Sequence, residues 1–241
     1  MTEQVQEEKI PERILVVAAH PDDAEFGAGG TVAKWVRQGA QAYYLICTNG
    51  EKGNDEGTVT KEELIAIRDR EQREAAAVIG VSEVVILPRP DGELFYNYEF
   101  RGDVVRYIRK FRPDAVFTHD PSVIINSSGF INHADHRATG EATVDAVYPF
   151  SRSVLQYPDQ IAEGLEPHTV YDLYLWGASP PNFWVDVTET VDCKVQALKC
   201  HKSQFSEPER VMGFAKERLH HAGEEHGVEY AETFRKVSLR R

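Results

Sequence analysis

The chain has 241 residues and carries 27 Lys and Arg residues against 39 Asp and Glu residues, a formal net charge of −12 at pH 7. This acidic balance argues against nucleic acids and anionic membranes as partners, because both are bound through clusters of Lys and Arg. Hydrophobic residues make up 41% of the sequence and charged residues 27%, proportions typical of a globular protein rather than a disordered one.

Short apolar runs alternate with amphipathic segments along most of the chain. After a polar, flexible tail of residues 1–13, strands are predicted at 14–19, 43–48, 84–87, 115–118, 170–176 and 183–187. Helices are predicted at 31–38, 61–79, 103–111, 136–146, 191–201 and 208–223. This alternation predicts one α/β domain over residues 14–241. We expect a Rossmann-like, doubly wound, mostly parallel sheet with helices on both faces, and C-terminal strands and helices that complete the site.

A compact group of polar side chains follows the first predicted strand, where residues 20–30 are predicted to form a loop. Ligands of open parallel sheets bind outside the carboxyl ends of the strands. His20 and Asp23 are residue types that bind Zn²⁺, and their spacing lets both reach one ion, with Asp22 beside an activated water as a base. The alternative is a solvated turn in which Asp23 caps a helix.

A second group follows the fourth predicted strand. His133 and His136 are three residues apart, which places both on one face of a helix start, and Asp135 can orient an imidazole. Alone, this pattern is more typical of a solvated surface. Both groups are expected at the same edge of the sheet, however, and together they predict a metal site.

These two motifs, with Gly29-Gly30-Thr31 after the first, resemble the LmbE-like or PIG-L family of zinc-dependent N-deacetylases, which act on N-acetylglucosaminyl compounds. The resemblance runs from residue 14 to about residue 205, including 199–205, and is greatest to the diacetylchitobiose and bacillithiol-type branch. It implies zinc ligands, a general base, an oxyanion-stabilising histidine with an acidic partner, and sugar contacts. In that order, the matching positions are His20, Asp23 and His136; Asp22; His133 with Asp135; and Arg68 with Asp91.

The resemblance implies removal of the N-acetyl group from a small GlcNAc-containing substrate, such as diacetylchitobiose, GlcNAc or a GlcNAc conjugate. Two alternatives stay open: deacylation of a non-sugar amide, and a catalytically silent sugar- or metal-binding homologue. Fe²⁺, Co²⁺ or Mn²⁺ can replace Zn²⁺ in a site of two histidines and one aspartate. Many relatives have Glu directly after the two Asp residues, whereas here Ala24 intervenes, which leaves the role of Glu25 open. The glycines at 27, 29 and 30 lack the dinucleotide-binding register.

The remaining expectations concern location and assembly. No signal-peptide pattern and no apolar run long enough for a membrane span is present, and the three cysteines form no CxxC pair. We therefore expect a cytoplasmic protein. Family relatives form homo-oligomers, so a trimer or hexamer is expected. One of His220, His221 and His226 either reaches a neighbouring subunit's site or belongs to a solvated helix end.

Overall fold

A computed structural model describes residues 10–54, 57, 59–125, 129 and 131–239. The strands of this part of the chain are β1 (Arg13–Ala18), β2 (Gln41–Ile46), β3 (Glu83–Ile86), β4 (Ala115–His119), β5 (Asp172–Trp176), β6 (Phe183–Asp186) and β7 (Ala231–Ser238). Its α-helices are α1 (Asp23–Arg37), α2 (Lys61–Ile79), α3 (Tyr98–Phe111), α4 (Ala134–Val147), α5 (Pro158–Ala162), α6 (Val191–Leu198) and α7 (Pro208–His226). None of these helices is long and apolar enough to cross a membrane.

The strands form one sheet in the order β3-β2-β1-β4-β5-β7-β6. β1 to β5 run parallel to one another, and β7 lies antiparallel between β5 and β6. The predicted α/β fold with a mostly parallel sheet is confirmed. The chain proceeds outward from β1 on one side through β2 and on the other through β4, so the carboxyl ends of β1 and β4 flank the crevice where such folds bind ligands.

The core lies on both faces of the sheet and explains the wholly apolar first strand. Ile14 and Val16 face α1, α2 and α6, whereas Leu15 and Val17 face α3 and α4. All four side chains are fully buried. Burial of each contributes about 1.5–3 kcal/mol, which anchors β1 beneath the turn that follows it.

The prediction of a loop over residues 20–30 is wrong, because α1 already begins at Asp23. Glycine lowers the stability of an isolated helix, but the glycines of α1 are required by the close packing of this helix against its neighbours. A Cβ atom at Gly27 would lie 2.4 Å from the Trp176 ring, and one at Gly30 would lie 3.0 Å from Val187. The glycines therefore let α1 approach its neighbours closely.

A buried ion pair holds the middle of α1. Lys194 Nζ lies 2.5 Å from Glu232 Oε1 and also donates to the Phe26 carbonyl at 2.8 Å. The Glu232 carboxylate accepts the backbone amides of Gly30 at 3.0 Å and Thr31 at 2.7 Å. Side chains of α6 and β7 therefore bond to the backbone of the helix whose first turn carries the candidate site.

Removing one partner of this pair is expected to destabilise the fold strongly. In Lys194→Met the Glu232 carboxylate stays buried without its cation, and we expect the free energy of unfolding to fall by about 3–5 kcal/mol. Urea unfolding measures the change. Lys216→Met, which breaks an exposed ion pair with Asp192, is the control and should cost about 0–1 kcal/mol. Equal losses in the two variants would contradict this prediction.

Other element boundaries follow from capping. The predicted bounds of α2 agree with the structure, where Thr60 and Glu63 form a capping box and Gly80 ends the helix at φ 90°. α3 begins at Tyr98 rather than 103 because the Asn97 side chain accepts the Phe100 amide at 2.7 Å. The short helix α5 and the strand β7 were not predicted.

Candidate active site

The turn after β1 carries the first group of candidate residues. The Asp23 amide donates to the His20 carbonyl at 3.3 Å, and the Asp22 carbonyl accepts the Phe26 amide at 3.1 Å as α1 begins. Asp22 has φ 101° and ψ −30°, a left-handed conformation that is unusual outside glycine. The turn is therefore tight, and it presents its side chains at the carboxyl end of β1.

The structure brings the three predicted metal ligands together. The Asp23 carboxylate lies between two imidazoles, with Oδ2 3.2 Å from His20 Nδ1 and Oδ1 3.2 Å from His136 Nε2. The His20 and His136 ring centroids are 5.3 Å apart. Residues 116 positions apart in the sequence are adjacent here because β1 and β4 are neighbouring strands.

Three overlapping groups within the described residues have potential ligand atoms within 4.8 Å of one another. They are His20, His133 and His136; Asp23, His119 and His136; and His20, Asp91 and Asp135. The predicted ligands His20, Asp23 and His136 are thus divided between the first two groups, which share His136. The second group adds His119, which is not among the predicted ligands.

That histidine, His119, ends β4 and is almost fully buried. Its Nε2 lies 3.6 Å from Asp23 Oδ2, and its ring stacks on His136 with a centroid distance of 4.1 Å. Burial lowers the pKa of His119 to about 4, against the opposing effect of Asp23, so the ring is neutral. The available sequence signal was its place at the carboxyl end of the strand beside β1.

The donor set fits a divalent transition metal. Imidazole and carboxylate ligands in this combination suit Zn²⁺ and several related ions. Four carboxylates, those of Asp22, Asp23, Asp91 and Asp135, also converge here, and confined negative charge is costly unless a cation offsets it.

The two adjacent aspartates differ in their protonation. Burial raises the pKa of Asp22 to about 6, an effect that Asp23 reinforces and Arg68 opposes. Burial acts in the same direction on Asp23, but its interactions with His136 and His119 hold its pKa well below the usual range. Asp23 is therefore the permanent anion, and Asp22 has the pKa of a group that can exchange a proton near neutral pH.

His20 is surrounded by acceptors. Its Nε2 lies 3.1 Å from both Asp91 Oδ1 and Asp135 Oδ2, in addition to the Asp23 contact at Nδ1. Burial disfavours the imidazolium, but the hydrogen bonds to Asp135, Asp23 and Asp91 raise the pKa of His20 to about 12. The positive charge of the protonated His20 balances these carboxylates. A bound metal cation would supply positive charge to the same groups.

The position of Asp135 differs from the predicted pairing with His133. Its carboxylate accepts the amides of Gly92 at 2.7 Å and Leu94 at 3.1 Å, and it faces His20. The hydrogen bond that joins Asp135 to His133 runs instead from the Asp135 amide to His133 Nδ1, at 3.2 Å, and caps α4. Asp135 thus connects the segment after β3 to the site.

This cap fixes the tautomer of His133. Because Nδ1 accepts the Asp135 amide, the proton of the neutral ring resides on Nε2, which is then a hydrogen-bond donor. Burial, followed by the charge of His20, lowers the pKa of His133 and favours this neutral form. The His133 and His20 ring centroids are 4.9 Å apart, so the donor belongs to the same cluster.

Arg68 and Asp91, the predicted sugar contacts, lie beside the predicted metal ligands, and Asp91 itself belongs to one of the groups of potential ligands. Arg68 donates to the carbonyls of Pro21 at 2.7 Å and Gly50 at 3.0 Å, and its guanidinium lies 3.6 Å from Asp22 and 3.8 Å from Asp91. Only 3% of Arg68 is exposed. The guanidinium therefore holds two site carboxylates and the loop after β2 in place, besides any contact with a substrate.

Residues 49–59, after β2, and residues 120–130, after β4, are only partly within the described residues: 55, 56, 58, 126–128 and 130 lie outside. In the described part of the first loop, Lys52 donates to the Asp91 carbonyl at 2.5 Å, and Gln204 donates to the Gly53 carbonyl at 3.1 Å. Contacts from two distant segments thus hold this loop.

The C-terminal histidines all lie on α7. His226 stacks on Trp184 with a centroid distance of 4.6 Å, whereas the side chains of His220 and His221 are 52% and 77% exposed. The alternative that one of them approaches a neighbouring subunit stays open, and the homo-oligomer and the cytoplasmic location stay predictions.

Comparison with known proteins places this geometry in a family. Residues 15–147 match the family model described as PIG-L, GlcNAc-PI de-N-acetylase. The chain belongs to this family. The predicted family and the predicted class of enzyme, a hydrolytic N-deacetylase, are confirmed.

Three similar proteins illustrate the relationship. The diacetylchitobiose deacetylase of Thermococcus kodakarensis is 34% identical over 81% of this chain and 71% of its own. A probable N-acetyl-alpha-D-glucosaminyl L-malate deacetylase 2 of Bacillus anthracis is 30% identical over 80% of this chain and 81% of its own. The solved N,N'-diacetylchitobiose deacetylase of Pyrococcus horikoshii, in complex with an inhibitor, superimposes with a TM-score of 0.87 at 33% identity, over 95% of this chain and 84% of that one.

Proposed function

We propose that the protein is a zinc-dependent hydrolase, built as a single domain over residues 14–241, that removes the N-acetyl group from a small GlcNAc-containing substrate. Diacetylchitobiose, GlcNAc and GlcNAc conjugates are the candidates, in keeping with the named activities of its relatives. The observation that carries the proposal is the Asp23 carboxylate 3.2 Å from both His20 and His136, with Asp22 next to it in the same turn.

His20, Asp23 and His136 would hold the metal, and His119 lies within reach of the same ion. Zinc, when bound, supplies a Lewis acid that makes water a better nucleophile and an amide carbonyl a better electrophile. The other tasks belong to side chains of this chain.

Asp22 accepts the proton of the attacking water, for which a pKa near 6 is suited at neutral pH. His133 donates a hydrogen bond from Nε2–H to the oxyanion that develops on the acetyl oxygen. A contact of this kind contributes about 2.7–4 kcal/mol to catalysis. Asp22 then returns its proton to the departing amine. Each group thus has the protonation state that its step requires.

Amine release is the direct test. We would measure it with GlcNAc, diacetylchitobiose and GlcNAc-malate, and determine metal content by mass spectrometry on the same sample. Near-stoichiometric zinc with turnover of at least one sugar is the expected result. Zinc without turnover of any sugar would favour a non-sugar amide or a silent homologue, and absence of both metal and turnover would overturn the proposal.

Arg68 offers a test of sugar recognition. In Arg68→Ala we expect kcat/KM for the best sugar to fall about 10- to 100-fold, the effect of losing one or two charge-assisted hydrogen bonds. Loss of the guanidinium removes the charge that lowers the pKa of Asp22, so this pKa rises and the acid limb of the pH-rate profile moves to higher pH.

The control for Arg68→Ala is Arg73→Ala on the same helix, which breaks an exposed ion pair with Asp69 and should leave kcat/KM unchanged. Full activity of Arg68→Ala on sugars would contradict sugar recognition by Arg68 and favour a non-sugar amide.

A further inference from the structure

Three buried polar side chains hold the Asp22 turn, and none of them has a role in the proposed mechanism. The backbone amide of Asp22 donates to Gln72 Oε1 at 2.9 Å. Gln72 Nε2 donates to Glu25 Oε1 at 2.9 Å, and the other oxygen of Glu25 lies 3.2 Å from His201 Nε2. We call Gln72, Glu25 and His201 the polar relay; all three are fully buried.

Chemistry fixes the direction of these bonds. A carboxylate only accepts hydrogen bonds, so Glu25 turns the NH₂ group of Gln72 toward itself. The carbonyl oxygen of Gln72 must then face the Asp22 amide, where an acceptor is needed. His201 occupies the second oxygen of Glu25 and so fixes the plane of the carboxylate. Each member of the polar relay therefore orients the next, from His201 to the Asp22 backbone.

The backbone of Asp22 needs such support. A φ of 101° is disfavoured for any residue with a Cβ atom and persists only where the surroundings hold it. If the amide were released, rotation of φ toward negative values would swing the carboxylate away from its place beside Asp23. A hydrogen bond to the Asp22 backbone amide opposes this rotation without any contact to the carboxylate.

We propose that Gln72, Glu25 and His201 are positioning residues that hold Asp22 in its catalytic conformation through its main-chain amide. The proposal rests on the proposed function, in which Asp22 is the general base. It also gives a role to Glu25, which the sequence left open, and to His201, which comes from a segment 176 positions further along the chain.

Gln72→Met is the primary test, because Met has a similar size and makes no hydrogen bond to the Asp22 amide. We expect the hydrogen exchange of the Asp22 amide, followed by NMR on Asp-labelled protein, to accelerate by about tenfold or more, and kcat to fall about tenfold, the equivalent of one net hydrogen bond. KM and zinc content should stay within about twofold, since, among the described residues, no side-chain hydrogen bond or ion pair joins the polar relay to the proposed ligands or to Arg68.

Gln160→Met is the matched control. Gln160 is similarly buried and bonded at both ends of its amide, to the Gly102 carbonyl at 2.8 Å and to Arg109 at 3.3 Å. It should lose thermal stability as Gln72→Met does, while the Asp22 amide exchange and kcat stay at wild-type values. A purely structural role of the polar relay would make the two variants alike, and that result would overturn the proposal.

Substitution of Glu25 provides a rescue experiment. Glu25→Gln can still accept from Gln72 and can donate its own amide to a neutral His201, so kcat should stay within about threefold of wild type. Glu25→Leu can do neither and should behave like Gln72→Met. Equal kcat values in the two Glu25 variants would contradict the polar relay.

Gln72→Asn, which is too short to bond both partners, replaces Gln72→Met if the latter does not fold, with the same expectations. Failure of the proposed function is seen separately. If the wild type releases no amine from any acetylated sugar, the exchange rate of the Asp22 amide still decides whether Gln72 holds it. An unchanged exchange rate would overturn the proposal whatever the substrate.

Discussion

Replacement of Asp22 by asparagine is expected to reduce kcat by about 10³-fold, within the range that a general base contributes, while zinc content stays at the wild-type level. Asparagine has the shape of aspartate, tolerates a positive φ better than most residues, and keeps the amide that donates to Gln72. It cannot accept a proton at neutral pH. The substitution therefore removes the proposed base and leaves the turn in place.

The same variant should not be less stable than the wild type. Burial raises the pKa of Asp22 in the folded protein from its usual value of 3.8 to about 6. The protonated form therefore stabilises the fold fully below pH 3.8, and this contribution is lost as the pH rises through about 6. At pH 7.5 asparagine avoids the cost of a buried charge. Thermal unfolding of the metal-free proteins at that pH should show an equal or higher Tm for Asp22→Asn.

Asp69→Asn, on the exposed face of α2, is the control and should keep wild-type kcat. More than a tenth of wild-type kcat in Asp22→Asn would contradict the assignment of Asp22 as the base.

Loss of one proposed metal ligand is the second large effect. We expect His136→Ala to lose most of its zinc after dialysis and to lower kcat by about 10³-fold or more, because catalytic zinc relies on three protein ligands. Chelation of the wild type should abolish turnover, and added Zn²⁺ should restore it. His136 is an informative position because it is the residue shared by the group that contains His20 and His133 and the group that contains Asp23 and His119.

His168→Gln is the matched control, since His168 is also half-buried but bonds to the Pro113 carbonyl at 2.7 Å. Its zinc content and turnover should not change. Retention of stoichiometric zinc by His136→Ala would contradict the proposed ligand set and favour the group formed by His20, Asp91 and Asp135. His119→Gln then shows whether the His119 imidazole is a further ligand of the ion.

The sequence predicts the location of the candidate site because one rule of parallel sheets suffices. The apolar run of β1 identifies a buried strand, and the polar residues after it must emerge at its carboxyl end. The same reasoning applied to β4 brings His136 to the same edge, and the structure places it 3.2 Å from Asp23. His119 could have been found by this rule as well, since it is the last residue of that strand.

Sequence patterns did not predict the contacts between segments that are distant in the chain. Two partners of the Asp135 carboxylate are the backbone amides of residues 92 and 94, and a backbone amide gives no side-chain signal in the sequence. The start of α1 was missed because glycines indicate a loop unless the Trp176 ring against Gly27 is known. β7 was missed because its charged residues hide an apolar face that only Phe234 marks clearly.

The bond between Glu232 and α1 has a consequence for how the protein is made. A ribosome synthesises the chain from the N-terminus to the C-terminus. The backbone amide of Gly30 is therefore made 202 residues before the Glu232 carboxylate to which it donates. Until that residue appears, the helix behind the candidate base lacks its partner from β7. The nascent chain thus acquires the complete support of its candidate site only after residue 232 has been synthesised, and a translation product that stops before this residue retains the motif without the framework that holds it.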